Sequence, residues 1–172
     1  MQRLREQLGW DNAGLRRVGM AMDRSTSDLF ERLKGQSRAV AYELVEPLTS
    51  FLTVARAVTG DLDKVLIMVT ITLRSSRHPD FRSGKAFEDG EDAAVPGFGT
   101  NVRSVADSTG IPRETVRRKV RELEAMGWVV RDGNTLHYSV EGYEGAAPVR
   151  EAMLRMYARG YDVIRRVDRG EG

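Results

Sequence analysis

Between residues 113 and 121 stand five basic side chains, Arg113, Arg117, Arg118, Lys119 and Arg121, against the single acid Glu114. Guanidinium is planar, permanently charged and forked, so it pairs two-pronged with phosphate oxygens or with the acceptor edge of guanine. Thr115 adds a hydroxyl and a methyl to the same stretch, suited to a phosphate or a thymine methyl. The chemistry on offer is recognition of a polyanion. Groups for bond making do not gather anywhere. The chain has no cysteine, and its two histidines, His78 and His137, have no triad context. Neither GxGxxG nor GxxxxGK[ST] occurs, and the acids of 80–92 lack metal-loop spacing. The expectation is a protein that is not an enzyme and uses no cofactor or metal.

A helix is needed to hold the basic groups. Val116, Val120 and Leu123 recur at four and three, and at about 100° per residue they share one side of a helix over 112–126. Glu114, Arg118 and Arg121 then fall opposite, toward solvent. Arg117 lies on one flank, and Thr115 and Lys119 on the other. Pro112 stands where this helix starts. Together with Arg113, the free amides of its first turn offer a grip for a phosphate.

The preceding stretch supports the geometry. A short helix from about 102 puts Val102, Val105 and Ala106 on one side and also carries Arg103, and Gly110 supplies the left-handed residue that stops it. The spacing Ala106-x3-Gly110-x5-Val116 resembles the helix-turn-helix pattern, in which a small residue, a turn glycine and a buried valine set the interhelical angle. After Gly127, Trp128-Val-Val-Arg131 and Thr135-Leu-His-Tyr-Ser-Val140 read as two strands joined at Asp132-Gly133-Asn134.

Helix, turn, helix and hairpin in that order make the chain resemble the bacterial winged helix-turn-helix transcription regulators, the MarR, GntR and IclR types among them, with no subfamily singled out. The resemblance covers roughly 61–140 and is most specific over 102–138, while the stretch 75–100 departs from the compact pattern. It implies a three-helix core with a wing, double-stranded DNA as partner, the 112–126 helix in the major groove and a homodimer. Arg131 and Asn134 on the wing would reach the adjacent minor groove or backbone. Trp128 and Tyr138 read as core beneath the wing, and His137 as a surface strand residue.

The rest of the chain frames this module. Residues 1–24 read as a loosely attached arm. Helices occupy 25–59: one from an N-cap at Ser27 with Leu29, Phe30, Leu33, Val40 and Leu44 on one side, ended or kinked at Pro47, then a second stripe of Leu48, Phe51, Leu52 and Ala55. A third segment carries Leu62, Val65, Leu66, Val69 and Leu73 at helical spacing. Its Val69-Thr-Ile-Thr run also suits a strand, but the spacing and the acids at its start favour a helix. The DNA-binding domain is placed at 60–146, with 75–100 as a long exposed loop, a gate or a plain insertion, that Phe81, Phe87 and Phe98 pin in place. From Pro148 a last helix, within 147–172, carries Val149, Met153, Met156, Tyr157, Gly160, Val163, Ile164 and Val167 in one stripe. That stripe is expected to pair with a second copy or with the helices of 27–58, Gly160 allowing close approach. The fold class is thus mainly α with a small β-hairpin wing: a winged helix-turn-helix with extra N- and C-terminal helices.

Composition bounds the alternatives. The 172 residues are 41% hydrophobic and 30% charged, enough for a packed core and unlike a disordered tail. The longest apolar run, Val65–Leu73, is far below the roughly 20 residues of a membrane span, so no membrane partner is expected. The lack of cysteine fits the cytoplasm. Of 27 basic residues only Lys34, Lys64, Lys85 and Lys119 are lysine. Arginine excess suits phosphate, and equally reflects a GC-rich genome. Over 101–144, seven basic residues meet seven acids. Two functions stay open: a sequence-specific duplex-DNA-binding transcription regulator, or a winged-helix protein-docking or assembly module that does not read DNA. No residue set spells out a small-molecule effector, although the helices of 27–58 and the last helix leave room for one.

Overall fold

The computed structural model describes residues 24–83, 94, 95 and 97–170. The arm of 1–23, Phe87 and the acids of 88–92 fall outside the described residues. Those described are mainly helical, with one two-stranded antiparallel sheet. They divide into two units.

The first unit comprises residues 24–44 and 160–170 of those described. It holds α1 (Arg24–Gly35), the start of α2 (Ser37–Thr59) and the end of α8 (Ala147–Asp168). Val40, Val163 and Val167 are buried together, with Leu33 and Leu44 against them. Glu43 pairs with Arg166, and Arg32 with Asp168. Two expectations are corrected here. Helix α1 is already under way at Arg24, so Ser27 is no cap, and Phe30 is exposed rather than in the stripe. The break falls at Gly35–Gln36, not at Pro47, which lies inside α2. Glycine is among the poorest helix formers, whereas Pro47 removes one intrahelical bond of a 23-residue helix and buries its ring.

The second unit, 45–159, contains the rest of α2 and α8 and everything between. Its helices are α3 (Leu62–Ser75), α4 (Pro79–Ser83), α5 (Val102–Thr109), α6 (Arg113–Ala125) and α7 (Val140–Gly145). Strands β1 (Val129–Asp132) and β2 (Thr135–Tyr138) pair in register from Val129↔Tyr138 to Asp132↔Thr135 across a two-residue turn. The core joins Ile67, Met68 and Ile71 of α3, Val105 of α5, Val116, Val120 and Leu123 of α6, and Trp128, Val129, Leu136 and Tyr138 of the hairpin. The Tyr138 hydroxyl donates to the Gly142 carbonyl at 3.0 Å, and burial pushes its pKa up to about 12.

Segment 61–75 is a helix, as its spacing indicates, and Asp61 caps it by accepting from the Lys64 amide. Of the expected stripe only Val65 is buried. Val65, Ile67, Met68 and Ile71 face the core, whereas Leu62, Leu66, Val69 and Leu73 are 42% to 57% exposed. A helix apolar on both sides does not announce which side the core takes.

The stretch 75–100 is also more than an exposed loop. Chain 79–83 forms α4, and Phe81 packs against the core with an edge-on ring contact to Tyr143. Ala94 and Thr100 bridge antiparallel to Ser139 and Leu136, and Val95 is buried. The Val95 amide donates to Tyr138, and Thr100 exchanges both hydrogen bonds with Leu136. Ala94, Val95 and Thr100 thus add isolated backbone contacts along β2 and Ser139. Phe98 pins nothing beyond an edge contact with His78 and is exposed. Helix α7 was not legible at all: Ser139 caps it through the Gly142 amide, and two glycines in six residues hide it from propensity. In the last helix Tyr157 is exposed, and no described atom lies within 4 Å of where a Gly160 Cβ would stand.

Leu123 lies at the centre of the second unit with no exposure. Leu123→Ala is expected to cost about 2–5 kcal/mol, read as a lowered urea midpoint with unchanged slope.

Candidate nucleic-acid interface

Helix α5 is held at both ends. The Asn101 side chain accepts from the Ser104 amide at 2.9 Å, and Gly110 closes the helix at φ +73, a conformation that costs glycine little. Ile111 is buried, and Pro112 opens α6 with no side-chain cap. No side chain caps the first-turn amides of α6, which stand at the positive end of the helix dipole. Val116, Val120 and Leu123 have no exposure and lock one side of α6 downward. Gly127, at φ +74, then turns the chain into β1, and Arg131 and Asn134 sit on the hairpin.

These elements enclose one open groove of about 470 Å³. Its walls are Asn101, Val102 and Arg103 from α5, Arg113, Arg117, Arg121 and Glu124 from α6, and Arg131 and Asn134 from the hairpin. Five arginines meet one glutamate there. On α6 the three arginines repeat every four residues, so they form a ladder on the flank facing the hairpin. Arg113 and Arg121 have no hydrogen bond or ion pair among the described residues. Arg117 pairs with Glu114 at 2.6 Å, Arg103 loosely with Asp107 at 3.8 Å, and Arg131 with Glu124 at 2.6 Å.

Of the candidates read from the sequence, Arg103, Arg113, Arg117, Arg121, Arg131 and Asn134 are brought together. Thr115, Arg118 and Lys119 are not among the groove walls, and Glu114 reaches it only as the partner of Arg117. Arg118 is 61% exposed on the far side of the solvent face and pairs with Glu122 at 2.9 Å. Lys119 is a correction. Its side chain is only 13% exposed, and its ammonium bonds the Asp61 carboxylate and lies 3.8 Å from Glu122. Lys64 meets Glu122 at 2.9 Å. This four-charge cluster ties α6 to the start of α3, and Lys119 lies in it and not among the groove walls. Three groove residues lie outside the sequence-based set. Asn101 is legible as an N-cap, Val102 reads only as part of the apolar side of α5, and Glu124 reads only as one of the seven acids of 101–144.

The cluster shows in the acids' titration. Burial pushes the Asp61 carboxyl up, but the hydrogen bonds from Lys119 and the Lys64 amide, with both ammonium charges, outweigh it and hold the pKa below the ordinary 3.8. The Lys64 hydrogen bond likewise lowers Glu122.

Elsewhere in the unit, an apolar cavity of about 410 Å³ opens among Phe51, Val65, Met68, Phe81, Trp128 and Met153. Arg150 lies on its wall, its guanidinium 3.7 Å above the Tyr143 ring. No helix among the described residues is long and apolar enough to cross a membrane. Comparison with protein-family models, curated proteins and solved structures gives no match to this chain.

Asp61→Asn keeps a capping oxygen and removes the charge, and Lys119→Met removes the ammonium and keeps the stem. Each is expected to cost about 1 kcal/mol, with the double variant losing less than the two together in denaturant titrations. Because the folded pKa of Asp61 is depressed, its contribution is complete above 3.8 and is lost as pH falls through the folded value. The stability gap between the wild type and Asp61→Asn should therefore close on acidification.

Proposed function

We propose that this chain is a winged helix-turn-helix protein that binds double-stranded DNA in a sequence-specific manner and regulates transcription as a homodimer in the cytoplasm. One observation carries the reading: Arg113, Arg117 and Arg121, spaced by four along α6, face Arg131 and Asn134 of the hairpin across one open groove. A B-DNA major groove, about 12 Å wide, admits a helix of this kind. In that pose the uncapped first turn of α6 and Arg113 take a phosphate, Arg117 and Arg121 reach base edges, and Arg131 and Asn134 meet the backbone on the next ridge. Arg103 adds a phosphate contact from α5. The bridges from Ala94 to Ser139 and from Thr100 to Leu136, and the hairpin's buried floor of Trp128 and Tyr138, agree with a wing.

Homodimerisation draws support from the exposed apolar side of α3, Leu62, Leu66, Val69 and Leu73, and from Leu154 and Tyr157 on α8. Faces of this kind seldom remain in water when they are contiguous. The protein-docking reading has one observation of its own. Three of the five groove arginines already hold carboxylates of this chain, as they would if their task were to solvate a neutral module.

Genomic fragments captured by the protein supply the duplex for an equilibrium titration at two salt concentrations. A steep fall in affinity with salt is expected, and Arg117→Ala and Arg121→Ala should each weaken specific binding by about 1–3 kcal/mol. Binding that ignores both substitutions rejects the assigned face. Arg118→Ala, outside the groove, should change affinity far less. Sedimentation at micromolar concentration should give twice the 19.3 kDa chain mass, and a monomer there removes the dimer.

A further inference from the structure

Glu124 is the only acid among the groove walls, and it stands where a carboxylate is least welcome. It lies in the last turn of α6, against the negative end of the helix dipole, and no basic residue occupies that turn. Its side chain is three-quarters covered. What stabilises it is Arg131 of the hairpin. One carboxylate oxygen accepts from Nε at 2.6 Å, and the other accepts from Nη2 at 3.4 Å. Two oxygens against one edge of a guanidinium is the arrangement that a phosphodiester adopts on arginine. The neighbouring arginines of the ladder differ. Arg113 and Arg121 carry no partner among the described residues, and the partner of Arg117, Glu114, is 76% exposed, outside the groove walls.

From this geometry we infer that Glu124 is a built-in phosphate mimic that occupies the wing's phosphate subsite and competes with the nucleic-acid backbone for Arg131. The inference rests on the duplex-binding reading and adds a regulation of that site. While Glu124 holds Arg131, the wing arginine is already neutralised and does not displace a cation condensed on a DNA phosphate. It therefore drops out of the phosphate count that sets sequence-independent affinity and its salt dependence. The wing is held ready at the groove edge, and backbone binding that ignores sequence is weakened. A phosphate reaching Arg131 must displace a covalently tethered carboxylate, which no change of salt removes.

The test measures affinity of the full chain for a random-sequence duplex across a salt series, with thermal unfolding as the check on folding. Glu124→Gln keeps shape and removes charge, and Glu124→Ala, with the best helix former, gives a second route to the same readout. Each is expected to bind the random duplex more tightly than wild type. The log–log salt slope should steepen by about 0.9, one additional phosphate. Between about 50 and 200 mM salt the variant's affinity then falls three- to fourfold more than that of wild type. Combining Glu124→Gln with Arg131→Gln should return the slope to the wild-type value. Affinity that is unchanged or lower in both single variants, with an unchanged slope, overturns the inference and makes Glu124 a prop for the hairpin. A wild-type chain that binds no duplex even at low salt fails the duplex-binding reading itself, and the inference with it.

Discussion

Helix α6 has one narrow apolar side, three residues in thirteen, and everything proposed for the groove depends on how that side is held. Val116, Val120 and Leu123 reach no solvent at all. They sit on Ile67, Met68 and Ile71 of α3 and on Val105 of α5, and burying that many methylenes is worth several kcal/mol. A helix so anchored cannot rotate about its axis without exposing them. The ladder of arginines is therefore fixed in direction by residues that carry no charge.

A second layer of restraint comes from ions. Asp61 caps α3 and at the same time holds Lys119 of α6, while Glu122 gathers Lys64 and Arg118. The first two charges are mostly covered, so the pairing has more weight than a rim contact between solvated side chains. It also sorts the basic residues of α6 by side: the flank toward α3 is neutralised internally, and the flank toward the hairpin is left to the groove. Asp61 and Glu122 are engaged where α6 meets α3 and Glu124 at the hairpin, while Asp107 and Glu114 pair with Arg103 and Arg117. Arg113 and Arg121 are thus the groove arginines left without a carboxylate among the described residues.

The hairpin is oriented by equally local means. Gly127 takes a left-handed turn, Trp128 and Tyr138 are buried beneath the sheet, and Val95 and Thr100 add hydrogen bonds along β2. Arg131 and Asn134 then line the same groove as the arginines of α6. The exposed apolar side of α3 is the opposite case. Leu62, Leu66, Val69 and Leu73 remain 42% to 57% exposed, and that exposure is the main physical ground for proposing a second copy of the chain.

Much of this was legible from residue spacing alone. The 116–120–123 stripe sets which side of α6 is buried, Gly110 and Gly127 mark the turns, and Asp132-Gly133-Asn134 marks the hairpin, because each rests on a local rule of periodicity or backbone conformation. Asp132 itself ends β1 and leaves a two-residue turn. The three arginines spaced by four were also visible, yet Arg117 was set on a flank and Arg118 at the centre. The wheel gives angles on one helix, not the position of the neighbour that forms the opposite wall. Other features needed tertiary packing to decide them. Which face of α3 is buried, whether Pro47 breaks a helix, that Val95 and Thr100 hydrogen-bond to β2, and that Lys119 pairs with Asp61 all depend on partners distant in the chain. An apolar or charged side chain has no preference of its own between two available surroundings. Only the elements packed against it remove one of them.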